Sequence, residues 1–429
     1  MIPVFCFGQG KAWTLEDCMQ YAVEHNQRKA KQEAQNKIYN QNKLEAIGGF
    51  LPSLSAQATA DFNFGRSLND ETNQYISVNN FRNTYNLSSS MLLFDGLGQV
   101  YRVKMSNIYQ KLGVEQLQYT KDLIAFETME IYYNVLYYKG TVELAEQQLQ
   151  ESMASLKRIQ RMEELGLMAP PDVAEIQAKE AEDRYALTKS INLFDLEVIK
   201  LKEKMNYPID QEIVIADLDD ALIINHIKED AFDIYQNALL MLPKALVSAK
   251  NVSVSEMEYK ISKSRLFPSI YVGAGFNTNF QRLMDGSEYE TFNDQLSNRR
   301  GHYVGFTLSI PLFNRFSTSS EIKRSKQRLV IAKSEHDETL RQIYSEIEQA
   351  VADINGLSDE YYYSQKRTAS MLNAHEVNVR KYEEGLINAI ELTTSSNRLL
   401  NSRIEELYTN LKYQLKHKWV EYYKGGPIY

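Results

Sequence analysis

From Leu54 to Phe64 the chain reads LSAQATADFNF. Its even positions are Leu54, Ala56, Ala58, Ala60, Phe62 and Phe64, and its odd positions are Ser55, Gln57, Thr59, Asp61 and Asn63. Successive side chains of a strand point to opposite faces, so the pattern predicts a strand with one apolar and one polar face. IYVGAGFNTNF (270–280) repeats the scheme, with Ile270, Val272, Ala274, Phe276 and Phe280 against Tyr271, Asn277 and Asn279. YVGFTLSIPL (303–312) sets Val304, Phe306, Leu308 and Ile310 against Tyr303, Thr307 and Ser309, and YNLSSSMLLF (85–94) follows more loosely. Elsewhere the period lengthens. Ile343, Ile347, Val351, Ile354 and Leu357 recur at steps of three and four. A stripe that narrow is the seam of a coiled coil rather than the broad face of a globular helix. From Gln99 to Leu165 there is no proline, and glycine occurs only at 113 and 140. Unbroken, that is on the order of 100 Å of helix. A second such helix is predicted from Glu321 to Glu384, and shorter ones from Asp172 to Met205 and from Ile390 to Trp419. Thr14 is the N-cap expected for a helix running on to Ile47.

The pattern occurs twice. FLPSL (50–54) returns as LFPSI (266–270), LLFDG (92–96) as PLFNR (311–315), and the glycine at 166 as the glycine at 385. The separations are nearly constant: Pro52 to Pro268 is 216 positions, and both Phe94 to Phe313 and Gly166 to Gly385 are 219. Three collinear pairs argue for two copies of one unit, and internal repeats set the architecture. The domains expected are a first repeat over 11–206, a linker over 207–230, a second repeat over 231–415 and a C-terminal segment over 416–429. Within each copy the long helix ends at a glycine and the chain starts a helix again, so Gly166 and Gly385 mark the tips of two helical hairpins. Glycine there can adopt the left-handed backbone that ends a helix. Asp172 and Glu391, each six residues after its glycine, suit the positive end of the returning helix.

Alternation alone fits either a soluble sheet on a core or a membrane barrel with lipid outside and water inside. Length and surroundings favour the barrel. The segments run about 10 to 11 residues, the amount a tilted strand needs to cross a bilayer. Aromatics gather at both ends, Phe50, Phe94, Phe267 and Phe313 at one and Phe62, Phe64, Phe81 and Phe280 at the other. Two such girdles belong to outer-membrane barrels. The polar stretches between paired strands, GRSLNDETNQYISVNN and QRLMDGSEYETFNDQLSNRR, suit loops outside the cell. Four strands cannot close a barrel and open edges are not tolerated in lipid, so the barrel must be shared among two or more copies.

Composition narrows the classes. A formal net charge of −8 without a basic cluster argues against nucleic acid. No stretch approaches the roughly 20 apolar residues of a membrane helix. MIPVFCFGQG (1–10) is similar to the tail of a secretory signal with cleavage near Gly8 to Gly10, and a lipid anchor on Cys6 is the sharper alternative. Cys6 and Cys18 offer neither a disulfide framework nor metal spacing. The histidines at 25, 226, 302, 336, 375 and 417 are scattered, and VGAGFNT lacks the third glycine of a dinucleotide loop. No cofactor, metal or catalytic residue is expected.

The order of helix, two strands, long helix, tip and returning helix, given twice, resembles the TolC-type outer-membrane efflux channels of Gram-negative bacteria. The likeness runs from Trp13 to Trp419, and FLPSL with LFPSI, LLFDG with PLFNR and the paired glycine turns carry it. It implies an α+β, mostly α chain that trimerises, three chains sharing a twelve-stranded β-barrel above a long helical barrel in the periplasm. It also implies a periplasmic adaptor at the tips, where Leu165, Leu167, Leu386 and Ile387 would make contact, and through the adaptor an inner-membrane pump. Export of drugs, other small molecules or proteins would follow. In that family tip residues hold the periplasmic mouth shut. Tyr382 matches the family's tyrosine, Asp172 the aspartate it bonds, and Glu391 an acid facing the pore. Ile387 stands where the lock has an arginine, and Thr394 where a second acidic ring is expected, which implies a weaker, more polar or apolar closure. The plainer account of Asp172 and Glu391 is a favourable helix start, about 0.3–1 kcal/mol each. A periplasmic coiled-coil scaffold whose sheet packs on its own core is the rival from another class.

Overall fold

The computed structural model describes residues 12–68, 72–77, 79–166, 168–208, 210–218, 224–284, 288 and 290–428. The expected signal remnant (1–10), Cys6 and Leu167 lie outside them. The two halves of the chain carry elements of matching length. The first copy runs α1 (Leu15–His25), α2 (Gln27–Gly48), β1 (Ser53–Asn63), a small hairpin of β2 (Arg66–Leu68) and β3 (Tyr75–Ser77), β4 (Asn80–Phe94), α3 (Gly98–Glu164) and α4 (Pro170–Met205). The second runs α5 (Ala231–Met241), α6 (Pro243–Ser264), β5 (Ser269–Leu283), α7 (Phe292–Asn298), β6 (Gly301–Ser309), α8 (Ser317–Glu383) and α9 (Ala389–Tyr423). The long helices α3 and α8 have 67 residues each, α1 and α5 have 11, and α2 and α6 have 22. Such equality in three pairs is what a repeated unit requires.

Three expectations need correction. The helix from Thr14 does not run unbroken to Ile47. Thr14 caps it as expected, its hydroxyl accepting from the Asp17 N–H. Asn26 then turns extended (φ −74, ψ 132) and its side-chain oxygen accepts from the Arg28 N–H at 2.8 Å, ending one helix and starting the next. The second copy breaks at the same place by other means. Leu242 is extended (φ −67, ψ 122) because Pro243 follows it, and a residue before proline is pushed out of the helical region. The two polar stretches are also more than loops. One holds the β2–β3 hairpin, and the other holds α7, whose N-cap Thr291 accepts from the Asp294 N–H. Finally, the last helix does not stop at Trp419: α9 continues to Tyr423.

One compact unit comprises the chain through Ala34, Val114–Val247 and the chain from Asp337 onward; the other comprises Gln35–Gly113 and Ser248–His336. The second unit holds the antiparallel sheet, in the order β1-β4-β5-β6. Its register aligns the four alternations. Ala56 pairs with Leu87, Leu87 with Phe276, and Val272 with Phe306, so apolar positions fall on one face. Gln57 pairs with Asn86 and Asn86 with Asn277, which makes the opposite face polar. A one-residue slip would exchange the two faces throughout a strand, so the pattern fixes the register. Gly275 lies on the polar face under the Tyr303 ring, where a Cβ would collide with the ring. Past Asn277, where β6 no longer pairs, α7 flanks β5. The Gln295 side chain accepts from the Gln281 N–H at 2.9 Å, and the Thr278 hydroxyl donates to the Leu296 carbonyl at 2.8 Å.

The other unit holds two cores. In one, α1 packs on α3 and α4 through Met19, Ala22, Ile124, Met129 and Leu201. Cys18 is also there, a free thiol that burial pushes up to about 12. Trp13 pairs with Ile215 in an isolated parallel bridge, and the Tyr132 hydroxyl meets the carbonyls of Trp13 and Ala216 at 3.1 and 2.8 Å. The other core uses the α8 seam as expected: Ile343, Ile347, Ile354 and Leu357 are buried against Ile234, Ala238 and Tyr413. No described helix is long and apolar enough to cross a membrane.

Candidate functional site at the hairpin tips

Both long helices end on a glycine with positive φ, +69° at Gly166 and +71° at Gly385. At the second tip the Gly385 N–H donates to the Tyr382 carbonyl (3.1 Å) and the Leu386 N–H to the Lys381 carbonyl (2.8 Å). This crossed pair satisfies carbonyls that the helix end would leave unmade. At the first tip the Gly166 N–H donates to the Glu163 carbonyl at 2.8 Å. The returning helices start differently. The N-cap of α4, Ala169, makes no side-chain bond; Pro170 and Pro171 set the helical φ instead. The N-cap of α9 is Asn388, whose side chain accepts from the Glu391 N–H at 2.9 Å.

The hairpins meet through a small apolar cluster. Ile159 of α3, Val173 and Ile176 of α4 and Ala389 of α9 are buried, with Leu156, Met168 and the Tyr382 ring packed against them. Packing the ring there leaves the Tyr382 hydroxyl buried with no hydrogen-bond partner among the described residues. Burial, and then the charge of Asp172, push its phenol above the usual tyrosine range. The Tyr382 ring thus packs beside Val173, the residue after Asp172, on the other hairpin. Glu391 is exposed and takes part through its backbone. Leu165 and Leu386 are exposed at the tips, and Ile387 is half-buried. Arg158 and Glu383 form an ion pair between α3 and α8 on the solvent side.

Further from the tips lies a polar junction that the sequence did not disclose. Lys179 and Asp183 of α4 form a buried ion pair at 2.6 Å. Lys179 also donates to the side-chain oxygen of Asn397, and Gln148 Nε2 of α3 donates to Ser396 Oγ at 2.6 Å and to Asp183 at 3.3 Å. Three helices are thereby tied by charge-assisted bonds. A signal existed: Val173 and Ile176 begin a stripe at helical spacing that continues onto Lys179 and Asp183, so charges occupy core positions.

Comparison with known proteins bears on both the sequence and the fold. A family model described as outer membrane efflux protein matches residues 234–423. No curated protein sequence matches the chain. Among solved structures, the outer membrane protein VceC of Vibrio cholerae superposes with a TM-score of 0.81 at 13% identity, covering 97% of this chain and 97% of that one. CusC, whose crystal structures concern folding and transmembrane channel formation, gives 0.84 at 13% identity over 96% and 92%. The open-state MtrE outer membrane channel of Neisseria gonorrhoeae gives 0.76 at 14% over 96% and 89%. At these identities the likeness establishes the fold.

Proposed function

We propose, from the match of residues 234–423 to the outer membrane efflux protein family, that the chain is the outer-membrane channel of a tripartite efflux or secretion system. Three copies close a twelve-stranded barrel in the outer membrane, and their helices extend into the periplasm. The tips meet an adaptor and, through it, an inner-membrane pump; small molecules or proteins pass by conduction, without chemistry on this chain.

The observation that carries this is the uncovered sheet. Val304, Phe306 and Leu308 are 75%, 74% and 60% exposed, so the chain supplies no core for that face. A scaffold whose sheet packs on its own core requires the reverse. The strands β1 and β6 also lie at the two open edges of the sheet, which lipid does not tolerate unpaired. Pairing β6 of one copy with β1 of the next satisfies both edges. The native mass of protein extracted in detergent from outer membranes tests the proposal. A stable complex of three chains is expected; a monomer or dimer soluble without detergent would refute it.

Asp172 and Tyr382 are assigned to the gate. A buried tyrosine hydroxyl without a partner among the described residues, its phenol raised by burial and by the charge of a carboxylate on the other hairpin, can gain or lose a bond to it as the tips shift. The arginine of the family's lock is absent at Ile387, so the closure rests on this pair and on apolar contact. We expect Asp172→Asn with Tyr382→Phe to raise single-channel conductance in planar bilayers and to sensitise cells to large antibiotics. Unchanged conductance in the double variant would remove the gate assignment.

A further inference from the structure

One contact inside the sheet-bearing unit has both of its halves repeated elsewhere in the same unit. The turn that starts α3, Asp95 to Gly98, packs on the corner where α6 passes into β5. A Cβ at Gly98 would stand 2.5 Å from Ser264 Oγ, and one at Gly96 would stand 2.6 Å from both the Ser264 carbonyl and the Phe267 Cβ. Gly96, Gly98 and Ser264 are all buried there. Position 98 is glycine because the opposing corner already carries a side chain at 264.

Each half recurs with the same backbone. The turn before α8 repeats the first at the offset of 219: Gly96 and Leu97 have φ of 68° and 69°, and Arg315 and Phe316 have 55° and 63°. The Gly98 N–H donates to the Asp95 carbonyl at 3.3 Å, and the Ser317 N–H to the Asn314 carbonyl at 3.1 Å. Asp95 Oδ1 accepts from the Gln99 N–H at 3.0 Å, and Asn314 Oδ1 from the Thr318 N–H at 3.3 Å. Left-handed backbone at two successive residues with side chains is unfavourable, so Arg315 and Phe316 keep this shape against a local cost. The corner where α2 passes into β1 repeats the other half at the offset of 216. The Leu266 and Phe267 N–H groups donate to the Lys263 and Ser264 carbonyls at 3.1 and 3.0 Å; the Phe50 and Leu51 N–H groups donate to the Ile47 and Gly48 carbonyls at 3.1 and 2.8 Å.

The side chains at the matching positions are exchanged. Gly98 of the first turn meets Ser264, whereas the repeated turn has Ser317 and the repeated corner has Gly48. The hydroxymethyl group has moved across from the corner to the turn. Both places are open in the chain: a Cβ on Gly48 would meet no atom within 4 Å, Ser317 is exposed, and Phe313 and Phe316 beside it are 73% and 69% exposed. Arg315 matches Gly96, so its Cβ holds a corner further off at that point, and Leu51 is smaller than the Phe267 it matches. The repeated corner leads into β1 and the repeated turn follows β6, the two outer strands, with β4 and β5 between them. One chain cannot bring the two halves together, but two copies side by side can.

We propose that the turn before α8 docks on the α2–β1 corner of the next copy, with Ser317 against Gly48 and Arg315 against Leu51. The partner is a second copy of this chain, met head to tail, an arrangement that closes into a ring. The inference rests on the shared barrel and adds a contact just beyond its paired edges.

Oxidative cross-linking in isolated outer membranes tests it. At the spacing seen between Gly98 and Ser264, two cysteines are close enough for a disulfide. With Gly48→Cys and Ser317→Cys in one chain, copper–phenanthroline is expected to shift most of the protein to two and three times the chain mass in denaturing gels, reversibly on reduction. Neither single variant should shift. Native electrophoresis of the same membranes separates the two readings. Absence of any oligomer would refute the shared barrel and this contact with it; an oligomer whose doubly substituted chains stay at monomer mass would refute this contact alone. Should the double variant fail to assemble, p-benzoylphenylalanine in place of Phe316, irradiated in the assembled protein, decides. A product at twice the chain mass joined through residues 44–52 supports the contact, and capture of any other peptide, or of none, refutes it.

Discussion

Phe306→Arg prevents the chain from accumulating as an outer-membrane oligomer. Phe306 is 74% exposed, faces the same side as Val304 and Leu308, and pairs with Val272 across the ladder. On a lipid-facing strand an arginine near the bilayer midplane costs about 2–4 kcal/mol. Every copy in a shared barrel carries the substitution, so the cost is multiplied by the number of chains. Thr307→Arg, one residue along, is the control. Its side chain lies on the polar face, opposite Tyr271, where a barrel holds water. Membrane fractionation followed by native electrophoresis reads both: the first variant is lost from the outer-membrane oligomer and the second is retained. Equal retention would mean that the apolar face does not meet lipid.

The second large effect belongs to the buried junction. Removing one member of a buried ion pair strands the other, at about 3–5 kcal/mol, whereas replacing both by apolar groups of similar size is often neutral or stabilising. Lys179→Met and Asp183→Leu should therefore each destabilise strongly, and the double variant should recover most of the loss. Thermal unfolding of the extracted protein, followed by circular dichroism, measures this. A double variant as poor as the sum of the singles would show that the bonds to Asn397, Gln148 and Ser396 matter more than the pair itself.

Much of the fold was legible because its periods are clean. Leu54 to Phe62 alternates without exception, and the observed register carries that alternation across Leu87, Phe276 and Phe306. The α8 seam was legible because Ile343, Ile347 and Ile354 keep one spacing over several turns. Breaks and short elements were harder, since they depend on single residues. Asn26 ends a helix through one side-chain bond, which an asparagine in the middle of a polar run does not advertise. The helix α7 exists because β5 extends past its partner and Gln295 can reach the Gln281 N–H, a long-range circumstance. At the tips, the glycines followed from local backbone demands. The approach of Tyr382 to Asp172 came only through the family resemblance, and the Lys179–Asp183 pair was hidden because charged residues at helical spacing usually face solvent.

That pair has no twin. At the offset of 219 that relates the two halves, Lys179 and Asp183 correspond to Arg398 and Ser402, and Ser402 is buried while Arg398 is exposed. An ancestor built from one copy would have had to place the same side chains at every junction between hairpins, because identical subunits repeat every contact. Fusing two copies lifted that symmetry. Each junction could then differ, and here the first half buries a charged pair where the second buries Ser402 and leaves Arg398 in solvent. Duplication thus lengthened the chain and also created two kinds of seam, which mutation can tune separately.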